Sequence, residues 1–382
     1  MLKEVSVLFI KRFGGKVRPA LKLWGVSIWL NWGIFSGQNS LRPLGIPTVS
    51  DRIAQMVVKI ELEPNVEPFF HPNSYGYRAN KSALEAIGVA RGRCWRNNWV
   101  LDIDIKGFFD NIDHELMMRA LKRHTSSKCI LLYIARWLKA PVEKRDGTRI
   151  ERSKGTPQGS VISPLLANLY LHYALDKWLQ INYPHCQFER YADDIVIHCK
   201  TEKETLDLKS AIDNRLKQCC LELHPEKTKI VYCKDNNRKG EYTHTSFDFL
   251  GYTFQARSCR NKYGEYFLNF LPAISKESKK SIYERIRSWR LQLRSDITLQ
   301  EIAKRINPII RGWINYYGRY NRSTLYHIFF NLNRQLFKWA YRKYKKIRRS
   351  MSKAIIWFTR IAKENSQLFA HWEMLRILPT ER

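Results

Sequence analysis

The sequence predicts an α+β fold in two parts: a mixed sheet of the split βαβ, ferredoxin-like kind, followed by an all-helical region. Three observations predict it. Strand-like and helix-like patterns alternate between Lys81 and Cys233. One antiparallel hairpin interrupts the alternation at "RYADDIVIHC", residues 190 to 199. Beyond about Ser278 the pattern is helical throughout. Alternation sets strands beside crossover helices, and a hairpin within it adds an antiparallel pair.

The elements follow in order. "KRFGGKVRPALKLWG" and "SGQNSLRPLGIPT" each carry an Arg-Pro after a glycine-containing turn, and Ala20 to Leu41 has little amphipathic period. The apolar stretch Leu23 to Phe35 is too short to cross a bilayer and lacks a cleavage site. From Asp51, Ile53, Met56, Val57 and Ile60 recur at helical spacing, and the helix is expected to end before Pro64. Residues 81–96 predict a helix, 99–105 a strand and 113–124 a helix. The apolar run 163–179 predicts one long helix, with Ser163 as N-cap and Pro164 at its first position. After the hairpin come a helix near 202–218 and a strand at 228–233. "FDFLGYTF" (247–254) leads into a further strand pair, and a domain boundary is expected near 260–275.

Composition narrows the partner. The 382 residues carry 66 Lys and Arg against 35 Asp and Glu, a net charge of +31. Such an excess implies a polyanion. The charge concentrates toward the end: from Ala256 to Arg382 there are 28 Lys and Arg and 8 Asp and Glu. Twelve Trp, 19 Tyr and 18 Phe suit base stacking as well as core packing. The eight cysteines form no CxxC pair and show no zinc-ligand spacing, and with no secretory signal they fit a reducing compartment, the cytoplasm.

The hairpin raises a chemical question. Asp193 and Asp194 sit between apolar strand segments. Two aspartates can be turn formers. They can also be charges that a bound cation compensates. "LDIDIKGFFDNIDHE" (101–115) offers further carboxylates, Asp102 and Asp104, two apart and so on one face of a strand. If that strand neighbours the hairpin, three carboxylates meet and a Mg²⁺ site becomes plausible. Two such ions serve in-line attack of a hydroxyl on a phosphate.

"YADD", "DIKGFFDNIDH" and "KGTPQGSVISPLLANLYL" together resemble a reverse transcriptase of the group II intron-encoded type. "RPLGIPTVSDRIAQ" and "HPNSYGYR" match its fingers and palm, while "INPIIRGWINYYGRY" (306–320) and "LFAHWE" resemble its maturase-specific domain. The resemblance implies a right-hand polymerase. Residues 41–260 would form fingers and palm, and 270–382 an α-helical thumb and maturase domain, after an atypical segment 1–40. It implies catalytic acids Asp104, Asp193 and Asp194, with two Mg²⁺ held by these and Ile105. Phe109 falls where a side chain excludes a 2′-hydroxyl, although a plain core role is open to it. Gln158 and Gly159 match the dNTP-binding loop, where Gly155 and Gly159 permit close backbone approach. Arg42 and Arg78 are implied in substrate binding. Lys227 resembles a lysine near the pyrophosphate end, with a solvated surface role as the alternative. Phe249, Leu250, Gly251 and Tyr252 resemble the primer grip.

The implied partners are a group II intron RNA, an RNA template with a DNA primer, a DNA target and dNTPs, with no membrane. The helical region would hold duplex and intron RNA by phosphate contacts and shape. Its Trp289, Trp313, Trp339 and Trp357 are either bundle core or RNA contacts, and "YRKYKKIRRS" (341–350) interleaves cations with two tyrosines. The chain departs from the family at its start. The usual fingers lysine would fall at Ser36, "FGGKVRP" (13–19) looks like that block displaced, and a truncated or rearranged N-terminus is expected. No endonuclease ligand cluster follows the maturase region. The leading expectation is a reverse transcriptase and maturase. A non-enzymatic RNA-binding maturase with crippled fingers and a primer-dependent RNA polymerase are the competing ones.

Overall fold

The computed structural model describes residues 27–29, 45–143, 148–347 and 350–375. Segment 13–19, Ser36 and Arg42 lie outside them. By its internal contacts the chain parts into two units, one up to Val231 and one from Tyr232. The division precedes the boundary expected near 260–275.

The first unit begins with a small sheet. Strand β1 (Ser27–Trp29) pairs antiparallel with β2 (Gly45–Ile46). Helix α1 (Val49–Val66) follows, capped by the Thr48 hydroxyl, which accepts from Asp51 N at 3.2 Å. Two expectations fail here. The helix runs through Pro64, which has no N–H to donate to the Ile60 carbonyl one turn back. The periodic residues Ile53, Met56 and Ile60 are also the exposed face. The buried face is Asp51, Ala54, Gln55, Val58, Leu62 and Val66. Its polar member Gln55 ties the helix to a loop, since its carbonyl accepts from Ser160 Oγ at 2.8 Å and Val161 N at 3.0 Å.

Helix α2 (Ala83–Arg96) is capped by Ser82 and leads into β3 (Trp99–Asp104). Short α3 (Phe108–Asn111) and α4 (His114–Leu121, capped by Asp113) follow, then α5 (Lys128–Lys139, capped by Ser127). Strands β4 (Val142–Glu143) and β5 (Arg149–Ile150) complete the first sheet, in the order β2-β1-β4-β5. Helix α6 (Ser163–Leu171) starts one residue earlier than expected. Ile162 is its N-cap position, and the Ser163 hydroxyl bonds Thr156 Oγ1 at 2.7 Å instead of capping. The predicted single helix is broken by a π turn, His172–Asp176, before α7 (Lys177–Asn182).

Strands β6 (Gln187–Tyr191) and β7 (Asp194–Cys199) form the predicted hairpin. Helix α8 (Glu202–Gln218) opens on a Thr201/Glu204 capping box, and β8 (Lys229–Tyr232) runs to the division between the units. The main sheet runs β6-β7-β3-β8. Val100, Leu101, Ile103, Ile195, Val196 and Ile197 are buried within it. Each large apolar side chain removed from water contributes about 1.5–3 kcal/mol.

The second unit starts with a three-stranded meander, β9 (Ser246–Phe249), β10 (Tyr252–Arg260) and β11 (Tyr266–Ile274). Among the described residues five α-helices follow: α9 (Lys276–Ser288), α10 (Leu299–Tyr317), α11 (Tyr326–Lys343), α12 (Met351–Glu364) and α13 (Ala370–Leu375). The meander packs on these helices. Tyr316 OH donates to Leu250 O at 2.9 Å, Tyr252 OH donates to Tyr316 O, and Ser275 N donates to Gly251 O at 3.0 Å. The tryptophans resolve toward packing. Trp339 and Trp372 are fully buried, Trp289 stacks on Trp313, and Trp357 packs against the core beside Tyr344.

Candidate active site

Strand register places the acids. Along the antiparallel β3–β7 ladder Ile103 faces Ile195 and Asp104 faces Asp194. Both carboxylates therefore stand at the abutting ends of two buried strands. On the other side of β7, Tyr191 faces Asp194 and closes a two-residue turn, Ala192–Asp193. Ala192 takes a left-handed φ of 57° there, the conformation a hairpin this tight demands at its first turn position. Asp104, Asp193 and Asp194 are all half-buried. Asp102 lies further into the sheet, opposite Val196.

A buried polar clamp holds the turn. Arg190 is fully buried, and its Nε and Nη2 reach the two oxygens of Asp176 at 2.8 and 2.6 Å. Its Nη1 donates to Asn168 Oδ1 at 2.9 Å and to Ala192 O at 3.1 Å, the carbonyl of the turn itself. Asn168 in turn donates to Gly76 O at 2.7 Å. Gly76 lies so close that a Cβ on it would sit 2.5 Å from Ala192 N. "HPNSYGYR" thus runs along β6, with Tyr75 N donating to Arg190 O and Arg190 N to Asn73 O. The neighbouring strand residue, Glu189, binds Arg93 and His198, each at 2.6 Å. Sequence reading missed Asn168, Asp176 and Arg190. The signal was there: three polar side chains inside otherwise apolar runs, two of them on the helix segment 163–179.

The loop after Asp104 is fixed as well. Ile105 bridges Leu223, and His224 N donates to Asp104 O at 2.8 Å. This brings Lys227 Nζ within 3.3 Å of Asp104 Oδ2. Lys227 is thus neither a free surface lysine nor remote from the acids. Phe108 and Phe109 separate by burial: Phe108 is core, whereas Phe109 is half-exposed just beyond Asp104. The Phe109 carbonyl accepts from Thr156 N at 2.7 Å, tying it to the "KGTPQG" loop. In that loop Gly155 does pack closely, but against Asp110: a Cβ would meet the Asp110 carbonyl oxygen at 2.7 Å. Gly159 is exposed with φ 103°, and the Gln158 carbonyl accepts from Gly45 N at 2.8 Å.

Two assignments change. Arg78 is spent on structure: its guanidinium binds Glu67 at 2.7 Å and donates to His71 O and Ser74 O, each at 2.7 Å. A side chain so committed supports the palm. In "FLGY", Phe249 and Tyr252 are buried core of the second unit. Leu250 and Gly251 form the turn between them, both with positive φ. Among the described residues, His185, Cys186 and Glu204 also bring ligand-type atoms within 4.8 Å of one another, a cluster that spacing did not reveal. Glu204 is the capping-box acid of α8, accepting from Lys200 N at 2.8 Å, which accounts for its place.

A four-strand sheet with carboxylates at the ends of its two central strands, one in a tight hairpin, defines the palm of a right-hand polymerase. The chain belongs to the reverse transcriptase (RNA-dependent DNA polymerase) family, whose model matches residues 35–254. A second match, the group II intron maturase-specific domain, covers residues 279–357. The chain is 29% identical to Protein YkfC of Escherichia coli K12 over 306 residues, 68% of this chain and 74% of that protein. It is 38% identical over 139 residues to the group II intron-encoded protein LtrA of Lactococcus lactis, covering 36% of this chain and 23% of LtrA. A putative COX1/OXI3 intron 1 protein of Saccharomyces cerevisiae matches at 33% over 143 residues, 37% of this chain and 17% of that one. In fold alone, apo telomerase from Candida tropicalis aligns with a TM-score of 0.51 at 11% identity, over 99% of this chain and 74% of that one. The chain is a reverse transcriptase and maturase of the group II intron type. Among the described residues no helix is long and apolar enough to cross a membrane.

Proposed function

We propose that this chain copies RNA into DNA from a DNA primer, binds its own group II intron RNA and assists its splicing, with a DNA target receiving the product. The observation that carries the reading is the register of Asp104 against Asp194 beside the Ala192–Asp193 turn. Half-exposed carboxylates at buried strand ends suit a hard cation with oxygen ligands, and the approach of the Lys227 ammonium to Asp104 supports a position that attracts positive charge. Two Mg²⁺ bound by Asp104, Asp193 and Asp194, with the main chain of Ile105, would supply charge stabilisation for the attacking and leaving oxygens.

The remaining roles fall to the chain. Phe109 stands where the sugar of an incoming dNTP would pass and would reject a 2′-hydroxyl. The exposed Gly159 and the anchored Gln158 would let the loop backbone lie against the nucleotide. Lys227 is placed to exchange Asp104 for the pyrophosphate as it leaves. Leu250 and Gly251 are the parts of the primer-grip motif left to meet a primer end.

Primer extension on an RNA template, with dNTP and NTP arms, tests the proposal. The wild-type chain should extend with dNTPs. Asp193→Ala with Asp194→Ala should abolish extension and leave RNA affinity within about twofold, because the acids contribute no phosphate contacts. Extension by the double variant, or a wild type that binds RNA but never extends, would overturn the polymerase reading.

A further inference from the structure

We propose that the tip of the β10–β11 hairpin, in the second unit, is a stacking site for unpaired RNA bases. The inference rests on the proposed RNA-binding function and names where part of that binding occurs. The hairpin is long and regular, paired from Tyr252↔Ile274 out to Arg260↔Tyr266. Its inner half is anchored by buried Tyr252, Phe254 and Phe270, while the outer half projects into solvent. Three aromatic residues sit on that outer end: Tyr263 and Tyr266, 78% and 76% exposed, and Phe267 at 36%.

Exposed aromatics on this scale call for a partner, and the local chemistry says which. Arg260 and Lys262 accompany them, with Glu265 the only carboxylate between Arg257 and Phe267. The cations lie against the rings: the Lys262 ammonium is 4.9 Å from the Tyr263 centroid and the Arg260 guanidinium 6.0 Å from that of Tyr266. Lysine is depleted in protein–protein interfaces, yet here the Lys262 ammonium stands against an exposed ring. Rings interleaved with cations suit a ligand that has flat faces joined by phosphates, namely single-stranded nucleic acid. In a paired duplex those faces are hidden, so the site selects loops and unpaired segments.

The tip is also pre-organised. Asn261 Oδ1 accepts from both Tyr263 N and Glu265 N at 2.9 Å, and Asn261 Nδ2 donates to Glu265 Oε2 at 2.8 Å. Gly264 takes the φ of 93° that the turn needs, and its carbonyl accepts from Arg260 Nε at 3.0 Å. The one local acid is therefore held, and the rings are displayed on a fixed turn. Little ordering cost is left for the ligand to meet.

The test measures affinity of the full-length chain for two probes of equal length, an unstructured RNA strand and a perfectly paired RNA duplex, across a range of salt. Tyr263→Ala with Tyr266→Ala should weaken the single strand about tenfold or more, leave the duplex unchanged and leave the salt slope unchanged. Tyr263→Phe with Tyr266→Phe should retain wild-type affinity, since stacking uses the ring and not the hydroxyl. Arg260→Ala with Lys262→Ala should instead flatten the salt slope. Equal weakening of both probes, no weakening of either, or loss in the phenylalanine pair would overturn the stacking site. A wild-type chain that bound neither probe would overturn the RNA-binding function itself, and the inference with it.

Discussion

Gly76 lacks a side chain because Ala192 leaves no room for one. The two segments approach so closely that even a methyl group would press on the backbone of the acid-bearing turn. Gly76→Ala should therefore move Asp193 and Asp194 without removing any functional group. Displacements of about 1 Å can cost roughly 100-fold in rate. Steady-state primer extension should show that loss mainly in kcat, and a circular dichroism spectrum like the wild type's would separate it from unfolding. Residues of this kind mark the limit of sequence reading. Asp104, Asp193 and Asp194 were legible because acids in apolar strands are anomalous. Gly76 was not, since its constraint comes from a segment far away in the chain. The structural role of Arg78 was hidden for a related reason: its partners Glu67, His71 and Ser74 are chosen by a loop path that no periodicity encodes.

Elements show the same division. The hairpin at 190–199 and strand 99–104 were legible from alternation. The buried face of α1 was not, because the tertiary hydrogen bonds of Gln55 outweigh the apolar stripe on the opposite side. The break in the long helix at His172–Asp176 was likewise hidden, and it matters because that π turn delivers Asp176 to Arg190. Removing one member of a buried ion pair strands the other charge, at about 3–5 kcal/mol. Asp176→Ala should lose that much in chemical denaturation. Asp176→Leu with Arg190→Met should recover most of the stability and yet stay poor in extension, since Ala192 O still lacks its donor. A double variant with full polymerase activity would deny the clamp any part in positioning the acids. At the other end of the chain, "LFAHWE" is pinned through asparagines. Asn307 bonds Leu368 O and Ala370 N, while Asn333 Oδ1 accepts from His371 Nε2 at 2.7 Å and Trp372 Nε1 at 3.2 Å. Burial pushes the His371 pKa down to about 3. The unfolded chain, with an ordinary value near 6.5, then binds the extra proton between those limits. The stability from keeping His371 neutral is complete above about pH 6.5 and is lost at roughly 1.4 kcal/mol per pH unit as pH falls toward 3. Melting curves from pH 7.5 to 5 should show the decline, and His371→Gln should flatten it by one proton's worth.

Across the whole molecule, charge was legible, whereas the contact division at Val231/Tyr232 was not. The meander residues look like continuation of the palm in sequence, but their long-range hydrogen bonds run to α9 and α10, which assigns them to the second unit. The basic excess beyond Ala256, by contrast, needs no fold to be read. Its distribution does need one. In "YRKYKKIRRS" the pattern of cations and tyrosines divides by burial. Tyr344 packs between Trp339 and Trp357, and Lys343 Nζ donates to Ser295 O and Ile297 O at 2.9 and 2.8 Å. Those two hold the bundle together. Among the segment's described residues Arg342, Lys345 and Lys346 are exposed, and the last two lie side by side facing solvent. RNA affinity that arises from phosphate contacts falls with salt by about 0.7–0.9 in log–log slope for each contact. Lys345→Ala with Lys346→Ala should therefore lower the slope by about 1.4–1.8 and weaken every RNA sequence alike. Lys343→Ala should instead lower the melting temperature, because it frees the Ser295 and Ile297 carbonyls in the segment before α10. Filter binding at several salt concentrations, paired with thermal melts, separates the two effects. An unchanged salt slope in the Lys345/Lys346 variant would place the phosphate contacts elsewhere on the molecule.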